Sequence, residues 1–400
     1  MLKINFRTNI IALILTSLFL VYISPSANAE PSTILGTTGD EPIGITIDSL
    51  GNIYTANGAS NNVSKITPQG VSTTLGTTGA NPFGITIDSS GNIYTANNVD
   101  NTVTKITPGG VSTTLGTTGN NPRGILIDSS GNIYTANYGA NNVSKITPGG
   151  VSTILGTTGA NPFAITIDSS GNIYTANDVD NTVTKITPQG VSTILGTTGA
   201  NPFGITIDSS GNIYTSNTGA DTVSKITPQG VSTTLGTTGA QPVGITIDSS
   251  GNIYTANNVD NTVTKITPQG VSTTLGTTGA YPFGITIDSS GNIYTSNNFG
   301  ATVTKITVFD QAAANAEAAR VAAANAEAAR VAAANAEAAR KAKEQKELTE
   351  ILALIPSIAE LTLSLGETTQ SLYSTKCVKG KTTKYVKYGA KCPKGYVKKK

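Results

Sequence analysis

The 400 residues carry 26 basic and 24 acidic side chains, two cysteines, and no histidine or tryptophan. The missing histidine excludes any mechanism that relies on an imidazole for proton transfer near neutral pH. Two cysteines without histidine also cannot complete a four-ligand zinc site. The formal charge of +2 conceals an asymmetry: residues 32–307 hold 14 acids and 8 bases, whereas the stretch from Lys376 holds 10 lysines and no acid.

Residues 1–29 read as a secretory signal. Lys3 and Arg7 form the basic start, Ile10 to Ile23 the apolar core, and Ala27-Asn28-Ala29 an A-x-A cleavage site before Glu30. The apolar core is short for a membrane-spanning helix, so cleavage and export are expected, with retention as an anchor the alternative.

Next comes a 40-residue unit that recurs seven times, anchored by Pro42, Pro82, Pro122, Pro162, Pro202, Pro242 and Pro282. A fixed period of this size marks a repeat architecture in which no single unit buries its own apolar face. In the second copy four β-type runs follow one another: Gly84 to Asp88, Ile93 to Asn97, Thr102 to Thr107 and Val111 to Thr117. Turn segments DSSGN, NVDN, PGG and TGNNP separate or follow them. Val103 and Ile106 lie in opposite phase, which suits a sheet covered on both faces. Four strands per unit is one propeller blade, so the expected fold is mainly β, a seven-bladed β-propeller over residues 30–309. Ser32 to Gly39 supplies a fourth strand without its first three, and the chain ends its last unit at Thr307 without a fourth. The two orphans are expected to share one blade and shut the ring.

The pattern P-x-G-I-x-I-D-x-x-G-N-I-Y-x-x-N, then x-V-[ST]-K-I-T-P-x-G, resembles the NHL-repeat family, most nearly its streptogramin-lyase-like branch. The resemblance spans Ser32 to Thr307 and implies a propeller, a fold that hosts enzymes and binding platforms alike. Streptogramin lyases use histidine as their acid/base group, and no residue here can replace it. Gluconolactonase-type propellers bind a metal through Glu, Asn and Asp, yet the only Glu within the seven copies is Glu41. No metal and no cofactor is therefore expected. The repeated Asp48, Asp88, Asp128, Asp168, Asp208, Asp248 and Asp288 read as turn residues. The seven lysines from Lys65 to Lys305 read as rim residues paired to those aspartates.

Near-identical blades present a ring of one group, so departures from the repeat are the informative positions. They concentrate in the loop before each leading strand and the loop after IYTAN, which should emerge on one face. The candidate binding residues there are Phe83, Arg123, Phe163, Phe203, Tyr281 and Phe283 near the channel mouth, with Asp100, Asp180 and Asp260 in the outer loops, which also carry Asp178 and Asp221. The phenylalanines could equally cap the apolar interior between blades.

From 310 to 372 the chain reads as an Ala-rich helical stalk. Glu317–Arg320, Glu327–Arg330 and Glu337–Arg340 stand at i,i+3 on it. The ten-residue period makes the charged stripe drift around the axis, the mark of a solvated spacer. Leu348, Ile351, Leu352 and Ile355, then Ile358, Leu361 and Leu365 beyond the Pro356 break, form an apolar stripe. A helical hairpin or coiled-coil self-association would cover it.

Residues 373–400 resemble a short Lys-rich module found on exported actinobacterial proteins. After export Cys377 and Cys392 are expected to form a disulfide. The tail suits an anionic envelope surface, or serves solubility alone, and nucleic acid is the least favoured partner. The leading reading is an exported, non-catalytic platform at the cell surface that binds a glycan, an envelope polymer or a protein. The alternative is a metal-dependent lyase- or lactonase-like enzyme.

Overall fold

The computed structural model describes residues 30–308, 311–353 and 374–399. The signal segment with Ala29, the Pro356 break and the stripe residues Ile355, Ile358, Leu361 and Leu365 lie outside them. The chain divides into two compact units, Met1–Phe309 and Asp310–Lys400.

The first unit contains 28 strands, numbered β1 to β28 in chain order, in seven four-stranded antiparallel sheets. The first sheet is β2 (Pro42–Ile47), β3 (Ile53–Asn57), β4 (Asn62–Ile66) and β5 (Ser72–Thr77) in sequence order. Five further sheets repeat it. The seventh joins both ends of the array: β1 (Ser32–Thr37) pairs with β28 (Thr302–Ile306), which continues to β27 (Ile293–Asn297) and β26 (Pro282–Ile287).

The turn chemistry explains the regularity. In Asp48-Ser49-Leu50-Gly51-Asn52, Gly51 adopts φ +81°, which an L side chain resists. Asp48 Oδ1 accepts the Leu50 and Asn52 amides at 2.9 and 2.8 Å. Its Oδ2 accepts Asn52 Nδ2 at 2.8 Å and the Tyr54 hydroxyl at 3.0 Å. The same four bonds recur at Asp208, from Ser210, Asn212 and Tyr214. Burial pushes these carboxyls up, but the bonds from asparagine, tyrosine and backbone outweigh it, and the pKa lies below the usual carboxylate value. The tyrosines move the other way: burial, then the bond to aspartate, pushes Tyr134 up to about 12.

The lysines differ from the sequence expectation. Among the described residues none of the seven pairs with an aspartate. Tyr54 and Lys65 are cross-strand partners, and Lys65 Nζ lies 5.7 Å from the Tyr54 ring centroid, an arrangement repeated in every sheet. With four donors already on each carboxylate, the ammonium rests on the ring instead.

The core lies between sheets. Tyr54, Ala56 and Val63 pack against Ile85, Ile93 and Ile106 of the next sheet. Val103 faces the other way, toward Ile133 and Ile146, so one strand buries both faces against different neighbours. The seventh sheet meets the first in the same manner: Tyr294 and Val303 pack on Ile53 and Ile66. Ser296 Oγ donates to the Ile43 carbonyl at 2.7 Å across that contact. Inside each sheet a buried asparagine ties the strands. Asn97 donates to Thr102 and Thr104 at 2.9 and 2.8 Å and accepts from Thr95 at 3.0 Å.

In the second unit α1 (Gln311–Ala353) spans 43 residues, about 65 Å at 1.5 Å per residue. Every described side chain from 320 to 350 is exposed, Leu348 included. Glu327 pairs with Arg330 at 3.1 Å as its spacing implies. The third expected pair is replaced: Glu337 bonds Lys341 at 2.8 Å and Arg340 bonds Glu344 at 2.9 Å, both at i,i+4. Position 341 is lysine where the earlier copies have Val321 and Val331, and a Glu with Lys four residues on is the better helical geometry. No described helix is long and apolar enough to cross a membrane.

The tail forms a three-stranded sheet, with β29 (Ser374–Lys379) between β30 (Thr382–Lys387) and β31 (Val397–Lys398). A disulfide joins the buried Cys377 to Cys392.

Candidate functional site

The two variable loops of each unit do share one end of the sheets, because they hydrogen-bond to each other. Asn98 donates its amide to the Asn81 carbonyl, Tyr138 to Asn121 and Asn298 to Tyr281, each at 2.9 Å. The leading strand that follows projects its second residue toward a common axis. Ile43, Phe83, Arg123, Phe163, Phe203, Val243 and Phe283, one from each sheet, line a single cavity of about 200 Å³ together with the two residues after each. The glycines at the next position govern how closely these strands approach. A Cβ on Gly44 would stand 2.6 Å from the Phe83 carbonyl oxygen, while Ala164 occupies the equivalent place in the fourth unit.

The rings pack on one another within the cavity. Phe83 meets Phe163 and Phe283 edge to face, with centroids 5.4 Å apart in each case, and Phe163 lies 4.1 Å from Phe203. Such aromatic pairs add stability beyond the area they bury. Arg123 interrupts the series. Its Cζ sits 3.6 Å from the Tyr138 ring centroid, 4.5 Å from Phe163 and 5.3 Å from Phe83. Burial pulls the Arg123 pKa down, against the upward pull of Tyr138 and Asp178. The Tyr138 hydroxyl donates to Asp178 Oδ2 at 3.2 Å, and Asn201 Nδ2 donates to Asp178 Oδ1 at 3.0 Å.

The structure thus brings Phe83, Arg123, Phe163, Phe203 and Phe283 together. It does not bring Tyr281 to them. Tyr281 is 42% exposed, adopts φ +55°, and packs on the exposed Phe299 with centroids 4.5 Å apart. Nor do the outer-loop aspartates face the cavity. Asp100, Asp180 and Asp260 each accept one amide, from Ala80, Ala160 and Ala240, at 2.6 Å, which braces the two loops against each other.

Tyr138 was missed as a site residue, and Asp178 was read only as an outer-loop acid. The signal was present in the position after IYTAN, which reads Gly58, Asn98, Tyr138, Asp178, Thr218, Asn258 and Asn298. Thr218 there donates to the Pro242 carbonyl of the next sheet, and Asn258 to Pro282. Tyr138 and Asp178 instead bond to each other beside Arg123.

Chemically, the cavity offers apolar rings and one cation. No carboxylate lines it, so its residues do not fit a divalent metal. Among the described residues no group of three or more Asp, Glu or Cys is arranged to hold a metal ion.

Solved structures share the fold. Virginiamycin B lyase from Staphylococcus aureus aligns at 22% identity with a TM-score of 0.62, over 70% of this chain and 99% of the lyase. A catalytically inactive variant of that enzyme, with a histidine replaced by alanine and quinupristin bound, aligns at 21% and 0.61, over 70% and 99%. The WD40 β-propeller domain of Doa1 aligns at 12% and 0.60, over 70% and 98%. No curated protein matches the chain by sequence. Residues 30–215 and 153–337 match the virginiamycin B lyase family, together more than half of the chain, and the chain belongs to that family.

Proposed function

We propose that the chain is an exported, non-catalytic binding platform of this family. Its seven sheets act as NHL-type blades of a ring that β1 closes, and the ring is carried with a helical stalk and a basic tail. The observation that carries this reading is the convergence of the varied second residues of the leading strands on one cavity that contains no proton-transfer group. Its ligand would be a glycan, an envelope polymer or a protein, engaged at the variable-loop end. The Lys-rich module would hold the molecule to anionic envelope material, and the exposed Leu348 marks where stalks could associate. The disulfide in the tail is compatible with an oxidising, extracellular location.

The test is a binding screen of the full mature chain against envelope fractions and glycans, with and without residues 376–400. Tail-dependent retention should weaken between 0.1 and 1 M salt, as the Debye length falls from about 10 to about 3 Å. Salt-insensitive retention of the tail-less chain would refute the tail's role.

Family membership favours a second reading, a lyase. Incubation with quinupristin and Mg²⁺, Ca²⁺ or Zn²⁺, followed by mass spectrometry, tests it. We expect the compound to remain intact and no metal to shift the melting temperature.

A further inference from the structure

Three departures from the repeat, contributed by two neighbouring units, meet at one point. At position 123 four of the other six copies have phenylalanine and the remaining two have isoleucine and valine. Position 138 is asparagine in three copies, and position 178 is the only acid among its equivalents. In the structure these three side chains are neighbours; Arg123 alone of them lines the cavity, whose other side chains are apolar.

The resulting cation is held but not satisfied. The Arg123 guanidinium lies over the Tyr138 ring and beside the Phe83–Phe163 pair. Its Nε is fully buried without a hydrogen-bond partner, while the side chain as a whole is only partly buried and lines the cavity. Asp178 is close, yet its two oxygens are engaged by Tyr138 and Asn201, so it positions Tyr138 and makes no ion pair with Arg123. A partly buried charge gains from an acceptor that reaches its accessible donors. A guanidinium presents paired donors that match a planar carboxylate, and stacking fixes the fork in advance. The aromatic walls suit the apolar face of a ring. At about 30 Å³ per water, 200 Å³ equals about seven waters, room for one ring with its substituent.

We propose that the Arg123 end of the cavity is a carboxylate-binding site that takes an acid group carried on a ring-sized body. The assignment rests on reading this end as a binding platform and narrows what it binds. The carboxylate forks onto Arg123, the ring lies against Phe83 and Phe163, and Tyr138 with Asp178 holds the guanidinium in place.

Titration calorimetry and ligand-observed NMR on the full chain test this with benzoate, benzyl alcohol, galacturonate and polygalacturonate. Arg123→Phe installs the residue that four other units carry, so the variant is expected to fold, with its melting curve as the check. Wild type should bind benzoate with a Kd of about 1 mM or tighter, and benzyl alcohol at least about tenfold more weakly. Arg123→Phe should lose at least about tenfold in benzoate affinity. Arg123→Lys should lose less, since it keeps the charge without the fork. Tyr138→Asn, again a residue other units carry, should weaken benzoate binding without abolishing it. Binding of galacturonate alone identifies a free acid as the source, and stronger binding of polygalacturonate identifies a polymer. Equal binding of benzoate and benzyl alcohol, unchanged in Arg123→Phe, would overturn the carboxylate assignment and leave the platform standing. No binding of any probe to wild type would overturn it as well. Benzoate binding by a chain that retains nothing from the envelope screen would count against the platform alone.

Discussion

The two ends of each sheet are built from similar residues and do different work. At the DSSGN end, Asp208 accepts four hydrogen bonds, from two backbone amides, an asparagine and a tyrosine. At the opposite end, Asp180 accepts one, from Ala160. The first arrangement leaves little room for any other side chain and is copied seven times. The second leaves neighbouring positions free to vary, and the departures that meet at Arg123 are found there. Sequence invariance in this molecule therefore marks hydrogen-bond demand, and variation marks where that demand is low.

This comparison presumes that all seven sheets are complete, so the most severe way to break it is to remove one strand. Deleting Ser32–Gly39 takes away β1 and exposes the edge of β28. Thermal unfolding should lose its cooperativity and the protein should aggregate. Melting like the intact chain would show that the shared sheet contributes nothing.

Next in size is the direct contrast between the ends. Asp208→Ala strands two amides, an asparagine and a tyrosine hydroxyl and should cost about 2–3 kcal/mol, whereas Asp180→Ala should cost about 1 kcal/mol. Chemical denaturation measures both. Equal costs would dissolve the distinction.

The DSSGN end should also set the pH limits. The folded pKa of Asp48 and its six equivalents lies below the unfolded value of about 3.9, so their stabilisation is complete above that pH. It is lost as pH falls through the folded values. Tyr134, pushed up to about 12, contributes stability that is complete below about pH 10 and fades as pH climbs toward 12. Melting temperatures should be flat between these limits and fall outside both. The acid limb should move when one DSSGN aspartate is replaced by asparagine.

The smallest effect concerns the junction between the seventh and first sheets. Ser296 donates to Ile43 at 2.7 Å and Ser216 donates to Val243 at 2.6 Å in the middle of the array. Replacing either by alanine should cost the same, about 1 kcal/mol or less. A larger loss at Ser296 would mean that the junction is weaker than the internal contacts.

Most of the fold was legible in the sequence because it repeats. IYTAN occupies β3 as read, the turn aspartates serve the turns, and the orphan N-terminal strand pairs with β28. What was not legible depends on direction and distance. Asp100 and Arg123 both lie at the variable end, and only the side-chain trajectories show that one braces a loop while the other enters the cavity. Lys65 was matched to Asp48 by charge, but the cross-strand register placed it over Tyr54. The link between Tyr138 and Asp178 joins equivalent positions 40 residues apart, which come together only through the packing of neighbouring sheets.

The pairing of β1 with β28 also has a temporal side. Ile34 emerges before the repeats and its partner Thr304 near their end, so this contact must wait for nearly the whole array. Meanwhile other strands offer the same surface. TVTKI occurs identically in the second, fourth, sixth and seventh units, and β1 shares STILGT with strands at Ser152–Thr157 and Ser192–Thr197. Only order along the chain tells β1 which copy to choose. Two crowded molecules could exchange these strands with no loss of side-chain fit, so slow, dilute refolding should favour monomers and fast refolding at high concentration should yield swapped dimers.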